Sequence, residues 1–256
     1  METVESRHSS PVWRAGKEQM MSLQFFGTRG RDGTSISLQR ERRESLRWVP
    51  RIGEEFPDFT AVSSRGTLKF REWAAGSWVY FFSHPGAFTP VCTTELAAVA
   101  NRAEAFAGRD VRVLMLSRDQ SGLQQEWIAE VEALFGVEVG FPAIADPEGV
   151  LARSCGMIHP GDDCQRTIRK SFVIDPRRRI RMIFEYPARV GRNLDETLRV
   201  IDALQEVDRL NIATPAGWTP GDTVVLPREM PEREADLRFG DRWERVTDYL
   251  RVFRRG

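Results

Sequence analysis

The chain has 256 residues, of which 41% are hydrophobic and 29% are charged, and its 37 basic residues balance 37 acidic ones. This length and apolar content predict one large domain, or one domain with appendages, and exclude disordered, collagen-like and disulfide-scaffold proteins. No apolar run approaches the roughly 20 residues of a membrane-spanning helix, and the balanced charge gives no support for binding to nucleic acid or a membrane surface. We therefore expect a globular protein without a nucleic-acid or membrane partner.

The N-terminal part differs in composition from the rest of the chain. Residues 1–49 mix Ser, Gly, Arg and Glu without a sustained hydrophobic period, which predicts a mobile extension. Met20 and Met21 leave a second interpretation open, in which translation begins there and the first residues are never made. The segment lacks the pattern of a secretory signal. We expect order to begin near Pro50.

The first strong elements lie on either side of a proline-rich break. Residues 77–82 (SWVYFF) form a short apolar and aromatic run, which indicates a buried strand. The following SHPGAFTP segment ends this strand with two prolines and a glycine. Apolar residues then recur at helical spacing and predict a helix over residues 91–107. They are Leu96, Val99, Ala100, Ala103 and Phe106.

Strand and helix patterns alternate through the rest of the central region. Strands are predicted at residues 111–117, 171–175 and 180–186, and helices at 121–135 and 194–207. The apolar side of the 121–135 helix is formed by Leu123, Trp127, Val131 and Leu134. A turn at residues 175–178 joins the last two strands and predicts an antiparallel hairpin. This order predicts an α/β domain in which helices cover both faces of a sheet.

Residues 214–256 differ in composition from the central region, because proline and glycine occur repeatedly in this segment. A segment of this composition cannot build a core by itself, so it needs a surface to lie against. We predict an extended arm that packs on its own domain or on a neighbouring subunit.

The chain contains three cysteines, Cys92, Cys155 and Cys164, and no CxxC pair. An odd and sparse set is typical of a reducing compartment, so we expect a cytoplasmic protein in which a cysteine is a catalyst, a ligand or a core residue. A zinc site built from Cys155, His159 and Cys164 would lack a fourth ligand, and we expect no metal.

Cys92 is the most informative cysteine. It falls at the predicted start of a helix, where free backbone N–H groups and the helix dipole favour an anion. A free thiol has a pKa of about 8.5, and lowering it by about two units takes about 2.7 kcal/mol, which a helix N-terminus and one arginine can supply. The Thr89 hydroxyl is placed to hydrogen-bond an incoming oxygen, while Pro85 and Pro90 restrict the loop. The alternative is that Cys92 is a small buried hydrophobic residue.

Two stretches resemble one protein family. Residues 83–96 (SHPGAFTPVCTTEL) resemble the peroxidatic loop of peroxiredoxins, whose pattern Pro-xxx-Thr/Ser-xx-Cys is filled here by Pro85, Thr89 and Cys92. The stretch TIRKSFVIDP resembles the strand of the same family that begins after an arginine, here Arg169. The resemblance implies that this arginine contacts the cysteine sulfur and the bound peroxide.

Further matches point to one branch of the family. Residues 186–193 (YPARVGRN) resemble the YPxxxGRN signature of the one-cysteine, AhpC/TSA-like branch, which also includes the long archaeal enzymes. Arg192 would be the second arginine near the pocket. His84 matches the histidine that is common before the loop proline, with either a pocket-tuning or a structural role. The stretch GWTPGDTVVLP also looks like the C-terminal domain of that branch.

The resemblance implies a fold and an assembly. Residues 50–213 would form a thioredoxin-like three-layer α/β domain with a central mixed sheet. Residues 214–256 would form an extended C-terminal arm that takes part in dimerisation. The family forms homodimers, and in some cases rings of five dimers, so either state is expected here.

The resemblance also implies a thiol peroxidase of antioxidant defence that reduces hydrogen peroxide and organic hydroperoxides to water and alcohols. The Cys92 thiolate would attack the distal oxygen and become a sulfenic acid, while Thr89, Arg169 and backbone N–H groups stabilise the departing oxygen. No metal, haem or flavin cofactor is needed, because the thiolate supplies the electrons. An external thiol, similar to thioredoxin or glutathione, would regenerate the enzyme.

The sequence favours a cycle with one cysteine. Two-cysteine members of the family often carry a resolving cysteine in the arm, and residues 214–256 contain none. Cys155 follows a helical stretch and is expected to pack in the core. Cys164, within PGDDCQRT, is expected to be more exposed and is the better candidate for a resolving residue.

Two other functions can be compared with the sequence. Some one-cysteine relatives carry a phospholipase site built on a Gly-x-Ser-x-Gly stretch, but here the two glycine positions around Ser77 hold Ala75 and Val79. Arg71 and Arg177 occupy the histidine and aspartate positions. A serine needs a sharp turn that exposes its hydroxyl and a neighbouring base that activates it, and neither is present here. We therefore exclude this activity. A peroxide sensor or a chaperone-like assembly without sustained turnover stays open, because only one cysteine has the features of a reactive thiol.

Overall fold

The computed structural model describes residues 37–38, 50–159, 163 and 165–254. Cys164 lies outside these residues, as does the predicted N-terminal extension except for Ser37–Leu38. Those two residues form a short strand that pairs with the sheet described below, so the extension contributes at least this contact. Within the described residues, we find no helix whose length and apolar character would suit it to cross a membrane.

The described strands form one large mixed sheet and one small sheet. In chain order, the strands are β1 (Ser37–Leu38), β2 (Phe59–Ser63), β3 (Gly66–Lys69), β4 (Trp78–Ser83), β5 (Val111–Ser117), β6 (Ala143–Ala145), β7 (Arg169–Ile174), β8 (Ile180–Tyr186), β9 (Val224–Val225), β10 (Trp243–Arg245) and β11 (Arg251–Phe253). The large sheet has the order β1-β2-β6-β5-β4-β7-β8, with β3 on β2. Its β4–β5 and β5–β6 pairs are parallel, whereas β4–β7 and β7–β8 are antiparallel.

Helices cover both faces of the large sheet. They are α1 (Phe70–Trp73), α2 (Pro90–Ala100), α3 (Ala103–Ala107), α4 (Ser121–Phe135), α5 (Val150–Ser154), α6 (Leu194–Leu210) and α7 (Glu232–Phe239). Side chains alternate across β4, so that Tyr80 and Phe82 face α2, α4 and α6, whereas Val79 and Phe81 face α1 and α5. These two cores confirm the predicted three-layer α/β class with a central mixed sheet.

Two details of the helices differ from the sequence predictions. The region predicted as one helix over 91–107 contains α2 and α3, separated by a turn at Asn101 and Arg102. On α4, Trp127 and Val131 are buried as predicted, but Leu123 and Leu134 are 42% and 66% exposed. Gln124 takes an inward position instead, and its side-chain amide donates a hydrogen bond to Ser117 Oγ.

The C-terminal arm contains more regular structure than its proline and glycine content indicates. Strands β9, β10 and β11 form a three-stranded sheet beside α7. This unit does not build its core alone, because Ala203, Val207 and Leu210 of α6 pack into it. The first half of α6 packs instead on the large sheet through Leu198 and Ile201. The arm therefore lies on its own domain, and α6 joins the two cores.

Candidate active site

The sheet topology brings four chain segments to one end of the sheet. Strands β4 and β5 are parallel, so the loops that follow them leave from the same end. Strand β7 runs antiparallel to β4, and its first residue, Arg169, therefore lies beside the end of β4. Arg169 pairs with Tyr186 at the end of β8, which places the loop that carries Arg192 at the same location. The predicted motif residues meet here although they are far apart in sequence.

Cys92 occupies the first turn of α2, as its sequence position predicted. Thr89 occupies the N-cap position without a capping hydrogen bond from its side chain, and Pro90 takes the first helical position, where its missing N–H costs nothing. The Cys92 side chain is buried, with 1% of the residue exposed. The sulfur is therefore held away from bulk water at the end of the helix where backbone N–H groups are free.

The pKa of the Cys92 thiol is lowered to about 6. Burial is the largest influence and raises the pKa, but His84, the Thr89 hydroxyl and the Gly86 backbone N–H together lower it by more. Arg169 Nη1 also lies 3.4 Å from Cys92 Sγ, so a fixed cation faces the sulfur. The sequence analysis attributed the shift to the helix end and an arginine. For His84 it left a pocket-tuning role and a structural role open.

His84 is buried next to the cysteine, with its ring 4.9 Å from that of Trp127. Neither ring nitrogen makes a hydrogen bond of normal geometry with any residue that the structure describes. We therefore assign its influence on Cys92 to the electrostatic effect of a nearby polar ring rather than to a formed hydrogen bond. The backbone is fixed separately, because the Thr167 hydroxyl donates to the His84 carbonyl oxygen at 2.6 Å.

The Thr89 hydroxyl lies 2.9 Å from the Gly86 carbonyl oxygen. A hydroxyl has one proton and rotates freely, so it can donate either to this oxygen or to the Cys92 sulfur. Pro85 is half-buried at the start of the same loop. The next turn places Phe88 at a φ of 54°, a left-handed conformation that costs a non-glycine residue about 1–2 kcal/mol. The loop around the sulfur is thus strained and must be held in place.

Arg169 is fully buried and uses its donors on three partners. Its Nη1 lies 2.5 Å from Glu95 Oε2, and its Nε and Nη2 donate to the Ala188 carbonyl oxygen at 3.0 and 2.9 Å. The third partner is the Cys92 sulfur, which the same Nη1 approaches at 3.4 Å. One guanidinium is therefore fixed against the sulfur by a carboxylate and by the loop after β8.

Glu95 is a site residue that the sequence analysis missed. Its two carboxylate oxygens accept from the backbone N–H, Nε and Nη2 of Arg192 at 2.8, 3.0 and 2.9 Å, in addition to Arg169. Burial raises the pKa of Glu95, but the hydrogen bonds and charge of Arg192 and Arg169 lower it further, so the net shift is downward. The available signal was spacing, since Glu95 follows Cys92 by three residues and so shares its side of the helix.

Arg192 joins the site through Glu95 and the strand ends. Its Nη2 donates to the Ser83 carbonyl oxygen at 2.8 Å, and its guanidinium carbon lies 5.0 Å from the centre of the Phe82 ring. The side chain is 3% exposed. The structure therefore brings together Cys92, Thr89, Pro85, His84, Arg169 and Arg192, all of which the sequence analysis selected.

Cys155 lies elsewhere. It is fully buried at the end of α5, in the core on the opposite face of the sheet from Cys92, and burial raises its thiol pKa to about 12. His159 faces Glu185 at 3.9 Å, and no group of metal-ligating side chains occurs among the described residues. Cys155 is thus a packing residue, as the sequence analysis expected.

The residues at the positions of the excluded phospholipase site are engaged in other contacts. Ser77 precedes β4 rather than lying within it, and its hydroxyl accepts a hydrogen bond from Arg112 Nε at 3.1 Å. Arg71 forms an ion pair with Asp58, and the Arg177 backbone N–H donates to Asp175. These contacts belong to surface pairs and turns.

Comparison with known proteins identifies the family. Residues 52–183 match the AhpC/TSA family, and residues 203–239 match the C-terminal domain of 1-Cys peroxiredoxin. A peroxiredoxin of Aquifex aeolicus is 44% identical over 212 residues, which are 79% of this chain and 96% of that protein. Mitochondrial peroxiredoxin PRX1 of Saccharomyces cerevisiae is 39% identical over 247 residues, which are 94% of this chain and 93% of the yeast protein.

Two solved structures extend the comparison. A cysteine-to-serine mutant of peroxiredoxin 6 of Arenicola marina superposes with a TM-score of 0.76 at 38% identity, covering 80% of this chain and 98% of the other. A yeast mitochondrial 1-Cys peroxiredoxin, whose structure concerns thiol resolution by the glutathione and thioredoxin systems, gives 0.75 at 38% identity, covering 79% and 98%. Both share the thioredoxin-like α/β fold. This chain therefore belongs to the AhpC/TSA family, in its one-cysteine peroxiredoxin branch.

Proposed function

We propose that this peroxiredoxin reduces hydrogen peroxide and organic hydroperoxides through Cys92 and is regenerated by an external thiol. The observation that carries the proposal is a buried sulfur that lies 3.4 Å from the Arg169 guanidinium. Its lowered pKa of about 6 is consistent with a thiolate at neutral pH. A thiolate next to a fixed cation can attack a peroxide and stabilise the negative charge that develops on the leaving oxygen.

The first step transfers one oxygen atom to the protein. The Cys92 thiolate attacks the terminal oxygen of the hydroperoxide, an S–O bond forms, and the O–O bond breaks. Both electrons of that bond leave with the second oxygen as hydroxide or alkoxide, which takes up a proton to give water or an alcohol. Arg169 and the Thr89 hydroxyl are the donors that face this charge, and Cys92 is left as a sulfenic acid.

The second step, in which the sulfenic acid is reduced, requires a thiol that another molecule supplies. The sulfenic acid condenses with a thiol to form a disulfide and water, and a second thiol reduces that disulfide. Cys155 is unsuited to this role, because it lies across the sheet and its pKa of about 12 keeps it protonated. The yeast relative, whose structure concerns resolution by glutathione and thioredoxin, supports a reductant of that kind here.

The assembly we propose is a homodimer. Strand β8 forms one edge of the large sheet and pairs among the described strands only with β7, so a second copy can add to it. Leu237 and Tyr249 of the arm are 79% and 72% exposed, which leaves apolar surface for a partner.

The cytoplasmic location stays a prediction, since a relative that covers 94% of this chain is named as mitochondrial.

Replacing Cys92 tests the proposed reaction directly. Cys92→Ser should abolish peroxide consumption and retain the thermal unfolding transition, because serine fills nearly the same volume without a reactive sulfur. Cys155→Ala is the control and should keep turnover. Intact-mass measurement after one equivalent of peroxide should show one added oxygen atom, and a sulfenic-acid trap should label Cys92. Undiminished turnover of Cys92→Ser would refute the proposal. A mass decrease of two hydrogens would indicate an internal disulfide, and its absence in Cys164→Ala would show that Cys164, rather than an external thiol, resolves the sulfenic acid.

The pH dependence follows from the direction of the Cys92 shift. Because the pKa is lowered to about 6, the reactive thiolate dominates above that pH and is lost as the pH falls below it. The second-order rate constant with hydrogen peroxide should therefore rise through a midpoint near pH 6 and be flat from neutral pH upward. Stopped-flow measurements across this range test it. A midpoint near the ordinary thiol value of about 8.5 would show that the site does not stabilise the thiolate.

Glu95 should be required for the rate because it fixes both arginines. Glu95→Gln leaves two buried guanidinium groups without their carboxylate, so we expect a loss of about 3–5 kcal/mol in unfolding free energy and at least a tenfold slower reaction with peroxide. Glu196→Gln is the matched control, since Glu196 pairs with Arg199 on the helix surface and contributes about 1 kcal/mol or less. Denaturant titration and stopped-flow kinetics give both quantities. Equal rates in Glu95→Gln and the wild type would contradict this role.

Self-association should depend on the apolar surface of the arm. Leu237→Asp places a charge on that surface and should shift the particle from about twice the 29.3 kDa chain mass toward the single chain. Leu134→Asp is the control, because Leu134 is similarly exposed but lies on α4. Sedimentation velocity measures both variants. A monomeric wild type, or equal dissociation of the two variants, would rule out the arm as an interface.

A further inference from the structure

A chain of polar groups runs from the buried side of α4 to the loop before Cys92. Gln124 is 1% exposed, and its Nε2 donates to Ser117 Oγ at 2.6 Å and to the Ile144 carbonyl oxygen at 3.0 Å. The Ser117 hydroxyl donates to Asp119 Oδ2 at 2.8 Å. The same carboxylate oxygen accepts from the Ala87 backbone N–H at 2.8 Å.

The direction of these hydrogen bonds is consistent along the chain. Ser117 has one hydroxyl proton, which it gives to Asp119, so it can accept from Gln124 at the same time. The bond from Gln124 to Ser117 and the bond from Ser117 to Asp119 therefore run in one direction, toward the carboxylate, and hydrogen bonds aligned in this way strengthen one another. A buried amide on α4 thus fixes a serine, and the serine fixes the carboxylate that receives the loop.

The loop that Asp119 holds is the one that surrounds the cysteine sulfur. Among the described residues, the Ala87–Asp119 hydrogen bond is the one that ties the backbone of residues 85–89 to a different strand or loop. Gly86 lies against the carboxylate, since a Cβ built there would be 3.7 Å from Asp119 Oδ1. Phe88 follows in the disfavoured left-handed conformation, so the loop would relax without an external contact.

We propose that Asp119 is a positioning residue of the peroxidase reaction, which holds the loop at residues 85–89 closed around Cys92 through the Ala87 N–H. Ser117 and Gln124 orient its carboxylate. Asp119 lies outside the motifs that the sequence analysis selected, and it touches neither the sulfur nor the arginines in the described contacts. Its effect reaches the sulfur through Gly86 and Thr89, whose N–H and hydroxyl face the thiolate.

The role predicts opposite changes in two reactions of the same sulfur. A loosened loop misplaces the donors at Gly86 and Thr89, so attack on peroxide should slow. The same opening exposes a sulfur that is normally 1% exposed, so alkylation by iodoacetamide should become faster when the thiol is fully ionised. General destabilisation does not predict a slower peroxide reaction in a protein that remains folded. The kinetic part rests on the proposed function, whereas the alkylation part does not.

Asp119→Asn tests this inference, because it keeps the shape and removes the charge. We expect the peroxide rate constant to fall by about 10- to 100-fold, the factor associated with a hydrogen bond to a charged acceptor. Iodoacetamide labelling of Cys92 at about pH 9.5, above the ordinary thiol pKa of about 8.5, should become faster. Ser117→Ala should change both rates in the same directions by a smaller factor. It provides a second variant that leaves the charge in place.

Asp175→Asn is the matched control for the loss of a carboxylate that holds a loop. Asp175 is 6% exposed and accepts from the Arg177 and Arg179 backbone N–H groups at 2.9 and 2.8 Å in the β7–β8 turn. It should lower the melting temperature while leaving both Cys92 rates unchanged. The inference would be overturned if the peroxide and alkylation rates of Asp119→Asn stayed within twofold of the wild type. It would also be overturned if Asp175→Asn changed these two rates as much as Asp119→Asn does. A wild type inert to peroxide would refute the proposed function, and the alkylation rates would still test the loop.

Discussion

A buried carboxylate between two guanidinium groups is the interaction on which the site depends. Burying ions costs several kcal/mol each unless their hydrogen bonds are satisfied, and here Glu95 accepts four donors from Arg169 and Arg192. Backbone carbonyl oxygens of Ala188 and Ser83 take up further guanidinium protons. Two cations and one anion leave one net positive charge beside the sulfur. The cluster is therefore electrically balanced when Cys92 is ionised.

The same residue type behaves in opposite ways on the two faces of one sheet. Cys92 follows a strand end, beside polar groups from three loops, and its pKa is lowered to about 6. Cys155 lies among apolar side chains beneath the other face, and burial raises its pKa to about 12. Burial raises the pKa of both thiols, so the difference comes from the polar groups that surround Cys92, which are His84, the Thr89 hydroxyl and the Gly86 N–H. Position in the fold, rather than cysteine chemistry alone, decides which sulfur reacts.

The sequence predicted the elements and motif residues well, because they have local signals. The apolar run of β4, the proline-rich break and the spacing of Thr89 and Cys92 can all be read within a few residues. Glu95 was missed because its partners are 74 and 97 residues away in the chain. Gln124 was missed because a helical period counts apolar positions, and here the inward position on α4 holds an amide that serves Ser117.

Helix α6 gives the two cores a common mechanical element. It begins two residues after Arg192, capped by the Asn193 side chain, and its 17 residues span about 25 Å. Its first half rests on the large sheet and its last turns carry Ala203, Val207 and Leu210 into the arm. A helix of this length resists bending, so a displacement of the arm would also move the N-terminal end of α6, which follows the loop that carries Arg192. A partner that binds the arm would therefore act on the end of the sheet where Cys92 lies.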